Sequence, residues 1–158
     1  MSKSTQIIGA RLKRDDARGK TTGETKFLTD IKVDNMLHAA PVFSQVAYGK
    51  LLGIDTRVAE NDPDYIAFFS AKDIPGENQV GVILEDQPLM AADVVRYVGD
   101  SVGILIAETA EAAQRLARLV SVNIDPFDPV FSIDESRNAK VNLLHETNLA
   151  CQHQVKRG

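Results

Sequence analysis

The sequence is poor in the residues that most often build metal and cofactor sites. Its 158 residues include one cysteine, Cys151, and no tryptophan. A single cysteine excludes an intramolecular disulfide, and it excludes an iron–sulfur or cysteine-rich zinc site built by this chain alone. The three histidines, His38, His145 and His153, have neither helical nor zinc-ligand spacing. We therefore expect no metal-binding residues here.

Catalytic motifs are missing as well. The chain has no glycine-rich phosphate loop between a strand and a helix, and no Gly-x-Ser-x-Gly sequence. The carboxylate pairs Asp15–Asp16 and Asp93 with Asp100 are of a kind that mostly caps turns or forms ion pairs. The sequence therefore predicts no catalytic and no cofactor-binding residues, and we expect the chain alone to be inactive.

Long apolar runs are also absent. No stretch approaches the ~20 residues that a membrane-spanning helix needs, and the start is polar, unlike a signal peptide.

The net charge is −4, but residues 1–26 hold seven basic residues against three acidic ones. This arm lacks the interleaved aromatics of nucleic-acid sites, so it is either a solvated terminus or a segment lying on an acidic surface. We expect a cytoplasmic protein that binds neither nucleic acid nor a membrane.

What the sequence does contain is a strand–helix–strand unit within residues 93–123. Residues 102–107 are apolar at every position, which is typical of a central strand covered on both faces. Truncation of Ile104 to alanine is then expected to cost about 2–5 kcal/mol. Thr109 predicts the N-cap of an amphipathic helix, and residues 121–124 predict a second strand. The apolar positions of the helix are Ala112, Ala113, Leu116, Ala117 and Val120.

Shorter patterns predict the remaining elements. Further strands are expected at residues 30–34, 36–44, 50–55, 65–69, 80–84 and 130–133. The strand at 30–34 would form a hairpin through the turn Asp34–Asn35, and the strand at 65–69 would be buried. Pro41 excludes a central position for the later half of its strand. Asp55 or Thr56 would cap a short helix over residues 57–61.

These elements predict a mixed α+β fold with six or seven strands and few, short helices. We divide the chain into an extended N-terminal arm over residues 1–26, a core over 27–133 and a polar C-terminal tail over 134–158. The composition is that of one domain with loose ends.

A resemblance to a known family begins in the arm. Residues 14–23, Arg-Asp-Asp-Ala-Arg-Gly-Lys-Thr-Thr-Gly, followed by Phe27 and Asp30, are similar to the opening "R-x-D-A…K-V-T-G-x-A-x-Y…D" of a large enzyme subunit. That subunit is the molybdenum-binding one of the xanthine dehydrogenase, aldehyde oxidase and carbon monoxide dehydrogenase family.

Three downstream segments resemble the same family in the same order. Residues 51–55 and 71–78 are similar to "I…I-D" and "A-x-D-I-P-G-x-N". Residues 88–102 are similar to "P-L-L-A…V-R-Y-V-G-Q-P-V", and residues 106–124 to "V-A-E-T…A-x-x-A-A…V-x-V-x-Y". The departures are Phe43 for Arg, Tyr48 for His, Asp100-Ser101 for Gln-Pro and Asp125 for Tyr.

The resemblance implies an α/β hammerhead, the first domain of that subunit. In the family, the molybdopterin-binding loops and the catalytic glutamate lie C-terminal to this domain, and the iron–sulfur clusters and FAD lie on other domains or subunits. It thus implies a non-catalytic module that packs on the remaining molybdopterin-binding domains. The parent reaction would hydroxylate a heterocycle or an aldehyde with oxygen from water. The alternative is a self-standing binding or assembly module, because fold does not fix function.

Three residues are candidates for contact with such neighbouring domains: Arg96, Phe43 and Met90. The guanidinium of Arg96, flanked by apolar residues, needs a carboxylate or several carbonyls. It finds them either through structural pairing within this domain or by contact with a neighbouring domain or the substrate entrance. Residues 39–44 and 87–91 carry no charge, so they either face another domain or point into the core of their own. In the first case the isolated chain is expected to self-associate.

Overall fold

The chain divides into two units, Met1–Met36 and Leu37–Gly158. The computed structural model describes residues 8–9, 13–82, 85–138 and 151–158. Among these residues lie six strands and four short α-helices. This count is consistent with the α+β fold that the sequence predicts.

The first unit contains a short helix where an extended arm was predicted. Helix α1 spans Ala17–Thr22, buries no residue and ends at Gly23, whose φ of 77° provides a left-handed cap. Lys20 forms an ion pair of 2.7 Å with Asp16, one turn earlier. The glycine that interrupts the sequence pattern is therefore a helix terminator, which is one of its commonest uses.

The hairpin predicted at residues 30–34 is wrong. Leu28–Asp30 form a 3-10 turn, in which the Asp30 carboxylate accepts the Phe27 N–H at 2.9 Å, and residues 31–33 belong to no strand. The predicted turn at Asp34–Asn35 is present, and Asn35 has a φ of 59°. A turn residue alone does not make a hairpin, because a strand needs a partner to bond to.

The second unit holds a sheet of three antiparallel strands, the first sheet. Its strands are β1 (His38–Phe43), β3 (Tyr65–Ser70) and β5 (Ser101–Ala107), in the order β1–β5–β3. The central position of β5 confirms the prediction from its apolar sequence. The edge position of β1 agrees with Pro41, which has no N–H to offer a further strand.

The second sheet is built from β2 (Gly49–Asp55), β4 (Val94–Val95) and β6 (Ser121–Pro126), in the order β4–β2–β6. All its pairs are antiparallel. Helix α2, Arg57–Glu60, follows β2. Its N-cap residue Thr56 makes no side-chain capping bond, and the Asp55 carboxylate, one residue earlier, accepts the Arg57 N–H at 3.1 Å.

Helix α3, Ala110–Ala117, covers one face of the first sheet. The Thr109 hydroxyl accepts the Ala112 N–H at 3.1 Å, which confirms the predicted N-cap. The core comprises Ala40, Val42, Ala59, Ala91, Val95, Val102, Leu105, Ala107, Ala112, Ala113, Leu116 and Val120. We call the side of the first sheet that carries Ala40, Val42 and Leu105 its covered face.

Of three further strand predictions, the one at 65–69 is right in position but wrong in burial, the one at 80–84 falls partly outside the described residues, and the one at 130–133 is wrong. Ile66 and Phe69 of β3 are 43% and 47% exposed, because β3 lies at a sheet edge rather than in the interior. No strand forms at 80–82, and residues 83–84 lie outside the described residues. Instead of a strand at 130–133, helix α4 begins at Ile133 and runs to Asn138, into the predicted polar tail.

The start of α4 has a sequence signature that explains the error. The Ser132 hydroxyl accepts the Glu135 N–H at 3.1 Å, and the Glu135 carboxylate accepts the N–H of Ser132 at 3.0 Å. This reciprocal pair is a capping box, Ser-x-x-Glu. Local side-chain bonds thus outweigh the β propensity of the preceding Val130 and Phe131.

Candidate interdomain surface

A corner between the two sheets carries Arg96 and lies next to the end of β1, which carries Phe43. The chain leaves β4, turns through residues 96–100 and enters β5. The buried Asp100 carboxylate accepts the backbone N–H of Arg96 at 2.9 Å, and Gly99 supplies a φ of 93°. The Asp100 side chain and the positive φ of Gly99 therefore stabilise this turn.

The end of β1 is bonded to the same corner. Ser44 donates its N–H to the Asp100 carbonyl and accepts the Gly99 N–H, both at 2.8 Å. Its buried hydroxyl accepts the Val46 N–H at 3.0 Å and donates to the Val46 carbonyl at 2.8 Å. Ser44 and Asp100, the two buried polar residues among those described, are thus committed to holding the backbone.

The three predicted contact residues lie in different environments. Phe43 is 45% exposed, and Arg96 is exposed with no carboxylate within 4 Å of its guanidinium among the described residues. The acidic partner expected within the domain is therefore not found for Arg96 in this part of the chain. Met90 is only 5% exposed. Its N–H and carbonyl bond to the Asn78 side chain at 2.9 and 2.7 Å, so Met90 belongs to the interior and offers no side-chain surface to a partner.

A larger apolar surface was missed by the sequence reasoning. The strand register places Ala39, Ile106 and Ala67 in one row across the first sheet, and Pro41, Ile104 and Phe69 in the next. Side chains directly opposite each other in antiparallel strands lie on the same face. We call these six residues the outer face.

The outer face is partly open to solvent. Ala39, Pro41 and Phe69 are exposed, while Ile104, Ile106 and Ala67 are half-buried. Helix α3 packs on the opposite side, where Ala40, Val42, Leu105 and Ala107 are buried. The uninterrupted apolar run of β5 was the available signal, because it predicts cover on both faces and the described chain supplies one.

Ion pairs elsewhere on the unit are structural. Arg115 of α3 reaches the loop before β3, with its guanidinium 2.6 Å from the Asp62 carboxylate and 3.2 Å from that of Asp64. Hydrogen bonds from Arg115, and then from the Asp64 backbone, lower the pKa of Asp62 below its ordinary value. This pair ties α3 to β3 across 53 residues of sequence.

An open groove lies at the far end of β2 and β6, lined by residues 53–57 and 121–123. Its charged groups are Asp55 and Arg57, which form a two-pronged ion pair with contacts of 2.9 and 2.6 Å. The bonds from Arg57 lower the pKa of Asp55 to about 2. Both charges satisfy each other, so the groove presents no free acid or base for catalysis.

Neither a cluster of metal ligands nor a membrane-spanning helix is found among the described residues. Within the part of the chain that the structure describes, no three His, Cys, Asp or Glu residues lie close enough together to hold a metal ion. Cys151 is exposed. None of the described helices is long and apolar enough to cross a membrane.

Comparison with known sequences identifies the family. Residues 22–127 match the family model described as "Aldehyde oxidase and xanthine dehydrogenase, a/b hammerhead domain". Xanthine dehydrogenase 1 of Arabidopsis thaliana is 41% identical over 125 residues, which are 78% of this chain and 9% of that protein. The nicotinate dehydrogenase large molybdopterin subunit of Eubacterium barkeri is 27% identical over 99% of this chain and 36% of its own length.

Solved structures show the same fold. The aldehyde oxidoreductase of Desulfovibrio desulfuricans superposes with a TM-score of 0.81 at 24% identity, covering 89% of this chain and 17% of that one. The chain thus spans from 9% to 36% of the length of these three relatives. With two-thirds of its residues in the family match, this chain belongs to the aldehyde oxidase and xanthine dehydrogenase α/β hammerhead-domain family.

Proposed function

We propose that this chain is the non-catalytic hammerhead domain of a molybdenum-dependent hydroxylase, and that it packs on the molybdopterin-binding domains of the large subunit. The observation that carries the proposal is the family match over residues 22–127, together with relatives such as those described above, of which this chain spans 9% to 36%. The commitment of Ser44 and Asp100 to backbone hydrogen bonds supports a structural role.

The parent enzyme in this proposal hydroxylates a heterocycle or an aldehyde with oxygen from water. It contains molybdopterin with molybdenum, and iron–sulfur clusters and FAD on other domains or subunits. The name of the Eubacterium barkeri relative, a large molybdopterin subunit, supports the first of these cofactors. The described residues of this chain do not fit any of them, since they offer neither grouped metal ligands nor a free buried polar side chain. No step of the reaction is therefore assigned to this chain.

Further parts of the proposal concern boundaries and location. We assign the hammerhead to residues 27–133, between an arm over 1–26 and a tail over 134–158. Phe43 and Arg96, both exposed, stay as predicted contacts with a neighbouring domain, and Met90 is left out because it is buried. A cytoplasmic location also stays a prediction.

A self-standing binding or assembly module is the second candidate. One observation favours it, namely that Leu37–Gly158 has a core of its own formed by α3 and both sheets. Both candidates predict a folded chain without cofactors, so folding does not separate them. They differ in whether the chain has a cofactor-bearing partner.

The test starts from the gene. The coding sequence after Gly158 and the neighbouring genes should encode a molybdopterin-binding region, and that region co-expressed with this chain should form a stable complex. Molybdenum, pterin, iron and FAD are then measured in the complex and in the isolated chain. A complex that contains molybdenum, beside an isolated chain that contains none, supports the proposal. A cofactor region that assembles with full activity in the absence of this chain contradicts it.

A further inference from the structure

We propose that the outer face of the first sheet is the surface through which this chain docks onto the cofactor-binding region of its large subunit. The inference rests on the proposed function and goes further, because it assigns the contact to six particular residues. It also differs from the three contact residues predicted by sequence, Phe43, Met90 and Arg96, although Ala39 and Pro41 belong to the uncharged segment 39–44.

The chemistry of the outer face calls for an apolar partner. All six side chains are uncharged and carry no hydrogen-bonding group: Ala39, Pro41, Ala67, Phe69, Ile104 and Ile106. An antiparallel sheet with one solvated face normally alternates apolar and polar residues, with the polar ones outward. In β5, however, both residues on the outer face are isoleucines, Ile104 and Ile106. The residues on its covered face, such as Leu105, are already buried. Each square ångström of this surface removed from water contributes about 25 cal/mol.

The size of the face argues for another part of the same subunit rather than for a second copy of this chain. Three strands spaced ~4.8 Å apart, with two rows of side chains, span roughly 14 Å by 10 Å. That is on the order of 150 Å², whereas a stable free interface buries about 800 Å² on each partner. A domain joined to its partner by the chain, or held by further contacts, needs less area from any one face.

The lengths of the relatives indicate which polypeptide is available to cover the outer face. The matched proteins are about three to eleven times as long as the segment they share with this chain, which spans 9% to 36% of them. An apolar segment of that additional polypeptide is therefore the occupant that we assign to the outer face.

Phe69→Glu tests the assignment. Phe69 is exposed in the described chain, so the new carboxylate should leave folding intact while placing a charge within the contact, at the edge strand β3. The matched control is Phe131→Glu, at a phenylalanine 79% exposed and outside the outer face. Phe69→Leu, which keeps the surface apolar, provides a second control. Each full-length variant is co-expressed with the remaining large-subunit region, and its dissociation constant for that region is measured after purification.

We expect Phe69→Glu to weaken binding at least tenfold, with an unchanged urea midpoint, and both controls to stay within about threefold of the unmodified chain. Ala39→Glu, at an exposed edge position of the same face, should reproduce the loss if Phe69→Glu lowers stability. Unchanged binding by both glutamate variants overturns the assignment. A chain that is dimeric through this face, with variants that become monomeric and still bind the region, overturns it in favour of a second copy. If the unmodified chain does not bind the region, the proposed function itself fails.

Discussion

Truncation of Leu105 to alanine should destabilise the Leu37–Gly158 unit by about 3–5 kcal/mol, whereas truncation of Ile104, the adjacent residue of β5, should cost only ~1 kcal/mol. Leu105 is fully buried on the covered face, and Ile104 is half-buried on the outer face. Either change removes three carbon atoms, which are worth about 0.8 kcal/mol each when they are completely buried. At Leu105 a cavity adds to this loss. At Ile104 only about half of the burial free energy of the three carbon atoms is lost. No closed cavity forms there, because the space left by the shorter side chain is open to water.

The assay is urea unfolding of the 158-residue chain, followed by circular dichroism. With a slope of about 2 kcal/mol per molar urea, the midpoint should fall by ~1.5–2.5 M for Leu105→Ala and by ~0.5 M for Ile104→Ala. If the two variants have equal slopes of unfolding free energy against urea concentration, their losses of stability can be compared directly. The sequence of β5 by itself, in which every residue is apolar, predicts that Ile104→Ala also costs about 2–5 kcal/mol of stability. A measured cost of 3 kcal/mol or more at Ile104 would therefore refute both the face assignment and the docking inference built on it.

Three further predictions concern local structure. Thr109→Ala should cost about 1 kcal/mol in urea unfolding because α3 loses its capping acceptor, whereas Thr109→Ser should be nearly neutral. Gly103→Ala should cost ~1–3 kcal/mol because its new methyl group would overlap the Phe68 ring, and adding Phe68→Leu should recover part of that loss. Arg115→Gln should lower the urea midpoint at pH 7, and this loss should become smaller as the pH is lowered below 3.8. The folded pKa of Asp62 is depressed, so its stabilisation is present above the ordinary value of 3.8 and disappears as the pH falls through the folded value. A loss in urea midpoint that stays the same as the pH is lowered would contradict the ion-pair interpretation.

The elements that could be predicted from sequence are those set by neighbouring residues. The capping threonine, the helical recurrence of alanines and leucine in α3, and the Pro41 edge strand each depend on a few consecutive positions. Such signals act within one or two turns of chain, so the surrounding fold does not alter them. The capping box of α4 was equally local, and it was overlooked in favour of the β propensity of Val130 and Phe131.

What failed depended on partners distant in sequence. Residues 65–69 have the composition of a buried strand, but the sheet order puts β3 at an edge, where Ile66 and Phe69 remain open. The uncharged loop that contains Met90 was predicted to contact another domain. In the structure, the Asn78 side chain bonds to the backbone of Met90, and the Met90 side chain is buried. Strand order and loop direction are decided by pairing across tens of residues, which no local window contains.

The residues of the outer face follow from the β5 sequence only when the strand register is also known. An all-apolar β5 predicts cover on both sides, yet the identity of the uncovered side follows only from the register, in which Ile104 meets Pro41 and Phe69. A shift of one residue would exchange Ile104 with Leu105 and bury the opposite set. Helix α3 removes that ambiguity by packing over Leu105 through Leu116 and its alanines. The side chains that remain on the outer face are then the ones available to pack against another protein segment. In the docking proposal, that segment belongs to the cofactor-binding region of the large subunit.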